Sequence, residues 1–381
     1  MPTSPSSPGP RWLVCAGTRP EIVKLAPVWA ALRVGGASVQ WAHTGQHRHE
    51  DAAVEGLYRF FGIRPDHSLT LQRRGDSPAE LQSLLLDKLT ALFRTLAPRG
   101  VIVQGDTTST LAAAQAAFFA GVPVAHVEAG LRTHDLADPF PEEMNRVLTA
   151  QLARWHFAPT AGAALNLERE GIARHAIHAV GNTVVDAARQ GVARLPAPAA
   201  LPGQRLLVTA HRRENWGAGL ARIARAVARL VAAHGNLSVL WPLHGNPAVA
   251  DAVRSALADA PPAVLARLQL VPPLDYPTLL HHLRQATLVL TDSGGLQEEG
   301  AALSVPVAVL RASTERPELI DSGGGVLLGT DEDRIVDVTT QLLADPGALQ
   351  RMREAINPFG DGRAAERIAA VLSGTAAPPA R

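Results

Sequence analysis

The sequence predicts an α/β protein built from two Rossmann-like domains that face each other across a cleft. Short apolar runs bounded by Gly or Pro alternate with longer stretches of helical periodicity, which is typical of βαβ units on a parallel sheet. This alternation occurs twice along the 381 residues, in two sets of similar size. Polar residues follow many of the predicted strands, and folds of this class bind ligands at that edge of the sheet.

The predicted strands are apolar runs of four to six residues that recur between helical patterns. In the first set they lie at residues 12–16, 39–44, 101–104, 124–127, 155–158 and 176–180, and the helices between them include residues 108–120, 142–153 and 161–170. In the second set they lie at residues 206–209, 237–241, 268–271, 287–291 and 305–310, each followed by a helical pattern.

A linker is predicted at residues 195–203, which contain three prolines and no periodicity. We assign residues 1–184 to an N-terminal domain and residues 185–362 to a C-terminal domain. A last helix is expected over residues 363–376; it can pack on either domain, and a return to the first domain is one option. The tails, residues 1–10 and 374–381, have the composition of disordered segments.

Composition excludes several classes of protein. Lys and Arg total 36 and Asp and Glu total 35, so the net charge of +1 argues against a nucleic-acid partner. The single cysteine, Cys15, excludes internal disulfides, and no apolar run approaches the roughly 18 residues of a membrane span. No export signal is recognisable, so we expect a cytoplasmic protein. The G-x-G-x-x-G and P-loop motifs are missing, which disfavours a nicotinamide cofactor and NTPase activity.

In the first half, charged residues follow three predicted strands. Arg19 directly precedes a helix that begins with Pro20, and Lys24 lies about one turn inside that helix, which indicates an anion site or an ordinary βα turn. Asp106 lies at a helix start, where a plain N-cap is the alternative. Glu128 directly ends an apolar strand, and Glu142 opens a helix whose macrodipole favours acids.

In the second half, His211 and Arg212 follow one strand and His244 follows the next, which suggests a phosphate partner. The most informative turn is 291–299, where Ser293, Gly294 and Gly295 expose backbone N–H groups suited to a diphosphate. In the same segment, Glu299 lies about one turn inside the helix and is suited to ribose hydroxyls. A flexible βα turn is the alternative.

Together these segments resemble a known family. They are residues 17–21 with Lys24, 44–48, 105–108, 126–133, 141–143, 181–183, 211–214, 291–299, 314–318 and 357–362. In this order they resemble the non-hydrolysing UDP-N-acetylglucosamine 2-epimerases, whose two-domain fold is shared with GT-B glycosyltransferases. The resemblance covers residues 13–368.

The resemblance implies interconversion of UDP-GlcNAc and UDP-ManNAc by elimination of UDP to 2-acetamidoglucal and re-addition, with no metal and no cofactor. It implies a UDP-binding C-terminal domain, a homodimer and a role in surface-polysaccharide synthesis. The implied catalytic residues are Asp106, Glu128, Glu142 and His211. The implied substrate-binding residues are Arg19, Lys24, Gln46, Arg132, His211, Ser293, Gly294, Gly295, Glu299 and Arg316. A second UDP-GlcNAc, bound as an activator, is implied at Gln46, Arg212 and His244.

Three alternatives remain open: a GT-B glycosyltransferase with a UDP-sugar donor, a hydrolysing epimerase that releases ManNAc and UDP, and a non-catalytic nucleotide-sugar sensor. The sequence departs from the family at Leu279, where relatives often carry a Phe near the uracil. This departure weakens the expectation of base stacking.

Overall fold

The computed structural model describes residues 12–75, 77–198 and 202–374, which form two compact units. The first unit contains the described residues up to 187 and from 360 onward, and the second contains residues 188–359. The predicted tails fall outside the described residues except for Gly374. Of the predicted linker, residues 199–201 lie outside them, and the remainder contains neither helix nor strand.

The first unit is a seven-stranded, wholly parallel sheet in the order β3-β2-β1-β4-β5-β6-β7, with helices connecting the strands. Its strands are β1 (Trp12–Ala16), β2 (Val39–His43), β3 (His67–Ser68), β4 (Gly100–Gln104), β5 (Val124–Val127), β6 (Trp155–Ala158) and β7 (Ile177–Ala179). Its helices are α1 (Arg19–Val34), α2 (Ala52–Phe61), α3 (Pro78–Leu96), α4 (Thr108–Phe119), α5 (Glu142–Leu152), α6 (Ala161–Arg169) and α7 (Thr183–Ala193), the last of which continues into the second unit.

The second unit is a six-stranded parallel sheet in the order β10-β9-β8-β11-β12-β13, the same winding as in the first unit. Its strands are β8 (Gln204–Thr209), β9 (Leu237–Pro242), β10 (Leu268–Val271), β11 (Leu288–Thr291), β12 (Val307–Val309) and β13 (Gly325–Leu327). Its helices are α8 (Ala218–Ala233), α9 (Pro247–Ala256), α10 (Pro262–Leu265), α11 (Tyr276–Leu283), α12 (Gly294–Ala302), α13 (Pro317–Asp321), α14 (Glu332–Ala344) and α15 (Pro346–Glu354).

The predicted strands are confirmed, since each of the eleven begins and ends within two residues of an observed one. The sequence missed β3 and β13, which have two and three residues, because neither contains an apolar run long enough to be recognised. Central strands such as β1 are buried along their whole length, because helices cover both faces of each parallel sheet. This double cover explains why the strands appear in the sequence as continuous apolar runs rather than alternating ones.

The last helix, α16 (Ala364–Ser373), belongs to the first unit. The backbone N–H groups of Ala364 and Ala365 donate to the buried carboxylate of Asp186, at 3.3 and 2.9 Å. From the same helix, Arg367 Nη1 donates to the Val180 carbonyl at 3.0 Å. A side chain of α7 therefore caps a helix that lies about 180 residues later in the sequence.

Three histidines are buried in the first unit and held neutral. Burial lowers the pKa of His43 to about 4, that of His126 to about 3 and that of His156 to about 4. Two of the rings are held by polar contacts: His126 Nε2 lies 2.7 Å from the Gly105 carbonyl, and His43 Nδ1 lies 2.7 Å from the Tyr58 hydroxyl. The lowered pKa values mean that the native state does not take up protons that the unfolded chain accepts.

We expect the first unit to lose stability as the pH falls from about 6.5 towards 4. In this window the unfolded histidines bind protons and the native ones do not, so each contributes up to about 1.4 kcal/mol per pH unit. Urea unfolding followed by pulse labelling of Cys15, which is buried in β1, measures this unit alone. The variant His126→Gln should reduce the slope by about 1.4 kcal/mol per pH unit, whereas replacement of the exposed His175 should not change it. Equal slopes in the three proteins would contradict the assignment.

Candidate functional site

The charged residues of the first unit meet at the carboxyl edge of its sheet. Strands β1, β4 and β5 are neighbours in the sheet, so the turns that follow them lie side by side. The turns at this edge are joined by the side chain of Glu21, a residue that is 1% exposed. Its Oε2 accepts the N–H groups of Gly17 and Thr18 at 3.0 and 2.8 Å, and its Oε1 accepts the hydroxyls of Thr107 and Thr110 at 2.9 and 3.1 Å. Burial raises the pKa of Glu21, and these hydrogen bonds oppose the rise.

Glu128 is paired with Lys24 across the same edge. The Lys24 Nζ lies 2.5 Å from Glu128 Oε2, and both side chains are less than 10% exposed. Glu128 has a φ of 62°, a left-handed conformation that a non-glycine residue rarely adopts. The backbone N–H of the next residue, Ala129, still donates to Phe157 at 3.0 Å, so the ladder to β6 continues past this residue. A strained position and a buried cation thus hold one carboxylate at the end of β5.

Asp106 follows β4 and does not cap α4. The N-cap is Thr107, whose side chain accepts the Thr110 N–H, so the plain N-cap interpretation of Asp106 is wrong. Instead, Asp106 Oδ2 lies 3.4 Å from Arg146 Nη2, and the Asp106 carbonyl accepts a hydrogen bond from Asn145 Nδ2 at 2.8 Å. Two residues of α5 therefore fix Asp106.

The two acids that open α5 have different environments. Glu143 is buried: its Oε1 accepts the N–H groups of Thr133 and His134, both at 3.0 Å, and its Oε2 lies 3.1 Å from Arg146 Nε. Glu142 is half-buried one residue earlier and forms no hydrogen bond or ion pair with the residues that the structure describes. Of these two acids, Glu142 is therefore the one available to a ligand.

The remaining predicted residues of the first unit are placed as follows. Arg19 is exposed at the first position of α1. Gln46 Oε1 accepts from the N–H and the hydroxyl of Ser109, at 3.0 and 2.8 Å. Arg132 is 1% exposed and binds both carboxylate oxygens of Glu170, at 2.6 and 2.7 Å. Its guanidinium is thus already engaged within the unit, and its role in substrate binding stays a prediction.

In the second unit, the turns after β8 and β11 are joined by Asp292, which is fully buried. Its Oδ2 accepts the N–H groups of His211 and Arg212, both at 2.8 Å, and Asn215 Nδ2 at 2.9 Å. The ring of His211 stacks on that of His244, with centroids 5.7 Å apart and planes at 12°. Burial lowers the pKa of His211, and the charge of Asp292 opposes that change.

The first turn of α12 forms an anion cradle with Arg316. The helix begins at Gly294, so the backbone N–H groups of its first turn have no partner within the helix. The guanidinium of Arg316 lies directly against this turn: a Cβ on Gly294 would be 2.5 Å from its Nη1. Arg316 Nε binds Glu298 at 2.8 Å and Nη1 binds Glu315 at 3.0 Å, which holds the guanidinium in place. Helix dipole, free N–H groups and a fixed guanidinium together suit a diphosphate.

Two further predicted residues lie near this cradle. Burial and the charge of Glu299 raise the pKa of Tyr276 well above its usual value, so the phenol stays protonated beside Glu299. Burial acts to raise the pKa of Glu315, but Arg316, Arg212 and Arg311 outweigh it and lower that pKa. Arg212 therefore belongs to the electrostatic surroundings of the cradle.

Sequence reasoning missed the residues that hold the predicted ones in place. Within the described part of the chain they are Glu21, Glu143, Arg146, Tyr276, Asp292 and Glu298. The available signal was an acid inside an otherwise apolar or small-residue segment, as at Asp292 between Thr291 and Ser293. No described helix is long and apolar enough to cross a membrane, and no three described His, Cys, Asp or Glu side chains cluster as metal ligands would.

Comparison with known proteins identifies the family. Residues 31–373 match the family model described as UDP-N-acetylglucosamine 2-epimerase. The chain belongs to the UDP-N-acetylglucosamine 2-epimerase family. A UDP-N-acetylglucosamine 2-epimerase of Yersinia pestis is 41% identical over 374 residues, which cover 94% of this chain and 97% of that protein.

Solved structures of the epimerase family agree with the fold. The structure from Neisseria meningitidis, bound to UDP-GlcNAc, has a TM-score of 0.87 and 34% identity, and the match covers 95% of this chain and 99% of that one. The structure from Methanocaldococcus jannaschii, in complex with UDP-GlcNAc and UDP, has a TM-score of 0.77 and 30% identity, with the same coverage. The predicted fold class, two Rossmann-like domains of GT-B type, is confirmed.

The buried pair of Lys24 and Glu128 predicts a measurable coupling in stability. We expect Lys24→Met to destabilise the first unit by about 3 kcal/mol, because it leaves a carboxylate buried without its cation. The double variant Lys24→Met, Glu128→Gln should recover at least about 1 kcal/mol relative to the sum of the single changes. Urea unfolding with labelling of Cys15 measures the cycle. Additive losses would mean that the two side chains do not interact.

Proposed function

We propose that this chain catalyses the reversible epimerisation of UDP-GlcNAc to UDP-ManNAc at C2, with retention of UDP. The observation that carries the proposal is that Asp106 and Glu128 follow the neighbouring strands β4 and β5, and that α5, which begins with Glu142, supplies the Asn145 and Arg146 that contact Asp106. The UDP-GlcNAc-bound relative from Neisseria meningitidis supports the substrate. The anion cradle of the second unit supports a diphosphate ligand.

The reaction is written as elimination followed by re-addition. A carboxylate removes the C2 proton, the C–H electron pair forms the C1–C2 double bond of 2-acetamidoglucal, and the C1–O pair leaves with the diphosphate oxygen of UDP. A second group then returns a proton to the other face of C2, and the same oxygen adds to C1. No electrons are gained or lost. Two acid–base groups on opposite faces are required, and Asp106, Glu128 and Glu142 are the candidates.

Stabilisation of the leaving diphosphate supplies much of the rate in this scheme, because the C2 proton is not acidic until the C1–O bond weakens. We assign this role to Arg316, to the N–H groups of Gly294 and Gly295, and to His211. The Ser293 N–H is already donated to Thr291 Oγ1 at 2.9 Å, so it is not assigned to the diphosphate. Arg19 and Lys24 stay predicted substrate ligands on the first unit. Glu299, beside Tyr276, is assigned to the ribose hydroxyls.

Other roles implied by the family resemblance stay predictions. Gln46, Arg212 and His244 are proposed to bind a second UDP-GlcNAc as an activator, and Arg132 is proposed as a substrate ligand. Homodimer formation, a cytoplasmic location and supply of the ManNAc donor for surface polysaccharide rest on the same resemblance.

Incubation of the full chain with UDP-GlcNAc in deuterated water, followed by NMR, tests the proposed reaction. We expect UDP-ManNAc to form and deuterium to enter C2 of both nucleotide sugars, because the proton lost from C2 exchanges with solvent. Release of free ManNAc and UDP would indicate a hydrolysing enzyme instead. UDP binding without turnover would indicate a sensor, and turnover only with an added sugar acceptor would indicate a transferase.

Variants extend this test to the three acids. Asp106→Asn, Glu128→Gln and Glu142→Gln should each lower kcat by about 100-fold or more, the contribution expected of a general acid or base. Their affinity for UDP should stay within about threefold of the parent, because the diphosphate is held elsewhere. Glu366→Gln, an exposed change on α16, is the control and should have no effect. Unchanged kcat in all three variants would refute the assignment.

The cradle makes a separate prediction about binding. Gly294→Ala should weaken UDP binding about tenfold, because a Cβ there would lie 2.5 Å from Arg316 Nη1 and displace the guanidinium. Isothermal titration calorimetry measures the affinity. In an Arg316→Gln background, where the guanidinium is gone, the same alanine should cost less than about threefold. Equal losses in both backgrounds would show that Gly294 and Arg316 act independently.

A further inference from the structure

We propose that Asp292 is a positioning residue that acts through His211, holding its backbone with one carboxylate oxygen and orienting its imidazole with the other. The proposal rests on the proposed function, since it assigns Nε2 of His211 to the leaving diphosphate. It adds a residue that touches neither the sugar nor the diphosphate in that scheme.

One oxygen of Asp292 is fully occupied by the turn that carries His211. Oδ2 accepts three hydrogen bonds of 2.8 to 2.9 Å, from the N–H groups of His211 and Arg212 and from Asn215 Nδ2. Asn215 Nδ2 also lies 3.2 Å from the Leu310 carbonyl. On the other side, the His211 carbonyl accepts Trp216 Nε1 at 2.9 Å. The backbone of His211 is therefore fixed on both sides.

The other oxygen of Asp292 faces the His211 ring. Oδ1 is buried and has no hydrogen-bond partner among the described residues. It lies 3.5 Å from His211 Nδ1, just beyond hydrogen-bond length. A buried carboxylate oxygen without a partner is costly, so a small rotation of the imidazole that closes this gap is favourable. The geometry is that of a carboxylate–imidazole pair that tightens when a ligand arrives.

The groups around the ring favour this pairing. His244 stacks on one face of His211, and its Nδ1 accepts the Asn246 N–H at 3.1 Å. Arg212, from the same turn as His211, also lies near the ring and carries a positive charge. His244 and Arg212 both disfavour a positive charge on His211, and Asp292 is the one neighbour of this set that favours it. Once a diphosphate binds, Asp292 and the ligand together stabilise the imidazolium, with Nδ1–H donated to Oδ1 and Nε2–H donated to the ligand.

Asp292→Asn is the informative variant because the three donors on Oδ2 dictate how the amide sits. The amide oxygen must face those donors, so the NH₂ group faces His211 Nδ1 and makes it an acceptor. The imidazole then stays neutral. We expect kcat to fall by about 10- to 100-fold while KM for UDP-GlcNAc stays within about threefold. The alkaline limb of the kcat–pH profile should move to lower pH by at least about one unit.

A double-variant cycle separates action through His211 from a general structural role. In a His211→Asn background, Asp292→Asn should lower kcat by less than about threefold. Asn215→Ala removes a donor from Oδ2 but leaves Oδ1 facing the ring, so its pH profile should match that of the parent. Full additivity of the two losses, or an unshifted pH profile in Asp292→Asn, would overturn the proposal.

A binding measurement keeps this inference distinct from the proposed reaction. Calorimetry of UDP binding near neutral pH, in buffers with different ionisation enthalpies, counts the protons taken up. The parent should take up a proton that neither Asp292→Asn nor His211→Asn takes up, whether or not any epimerisation occurs. Equal uptake in the parent and His211→Asn would refute the role of His211, and this comparison stands even if Asp292→Asn fails to fold. Failure of the parent to form UDP-ManNAc would refute only the proposed reaction.

Discussion

The structure depends on one recurring interaction, in which a buried carboxylate accepts two consecutive backbone N–H groups. Among the described residues, four acids do this: Glu21, Glu143, Asp186 and Asp292, which bind residue pairs 17–18, 133–134, 364–365 and 211–212. Turns and helix starts leave adjacent N–H groups without partners, and a charged acceptor satisfies them at about twice the strength of a neutral one. Burial opposes the arrangement by raising the pKa of Glu21 and Asp186. At Glu21 and Asp186, desolvation and hydrogen bonding thus oppose each other.

This use of carboxylates divides the acids of the first unit into two groups. Glu21 and Glu143 each accept two consecutive backbone N–H groups and hold the turns after β1 and β5 in place. Asp106 instead lies 3.4 Å from the Arg146 guanidinium, Glu128 pairs with Lys24, and Glu142 is half-buried at the start of α5. Protonation of an acid that accepts two backbone N–H groups weakens those hydrogen bonds. The second group is therefore the one proposed for catalysis.

Much of the fold was predictable because fully buried strands appear directly in the sequence as apolar runs between turn residues. The positions of Asp106 and Glu128 were predictable for a related reason: residues that directly follow neighbouring parallel strands lie at the same edge of the sheet. Their partners were not predictable. Glu128 pairs with a lysine that is 104 residues away in the sequence, and Arg132 pairs with a glutamate that is 38 residues away. No local spacing therefore predicts either pair. The role of Asp292 was also hidden, because its three donors lie about 80 residues earlier.

At Glu128, a strained backbone conformation and an ion pair with a distant residue both fix the position of the carboxylate. Its φ of 62° costs about 1 kcal/mol or more for a residue with a side chain, so glycine or asparagine would be the cheaper choice on conformational grounds. The ladder to β6 resumes at Ala129, which means that the left-handed residue redirects the side chain without ending the sheet. The Lys24 Nζ lies 2.5 Å from Glu128 Oε2, and Lys24 is one of only two lysines in the chain. The fold therefore keeps a carboxylate where the backbone conformation disfavours it. The ion pair with Lys24 does not by itself explain this, because two apolar side chains would hold the same turn without the free energy of desolvating two charges. A requirement for the carboxylate itself does explain it.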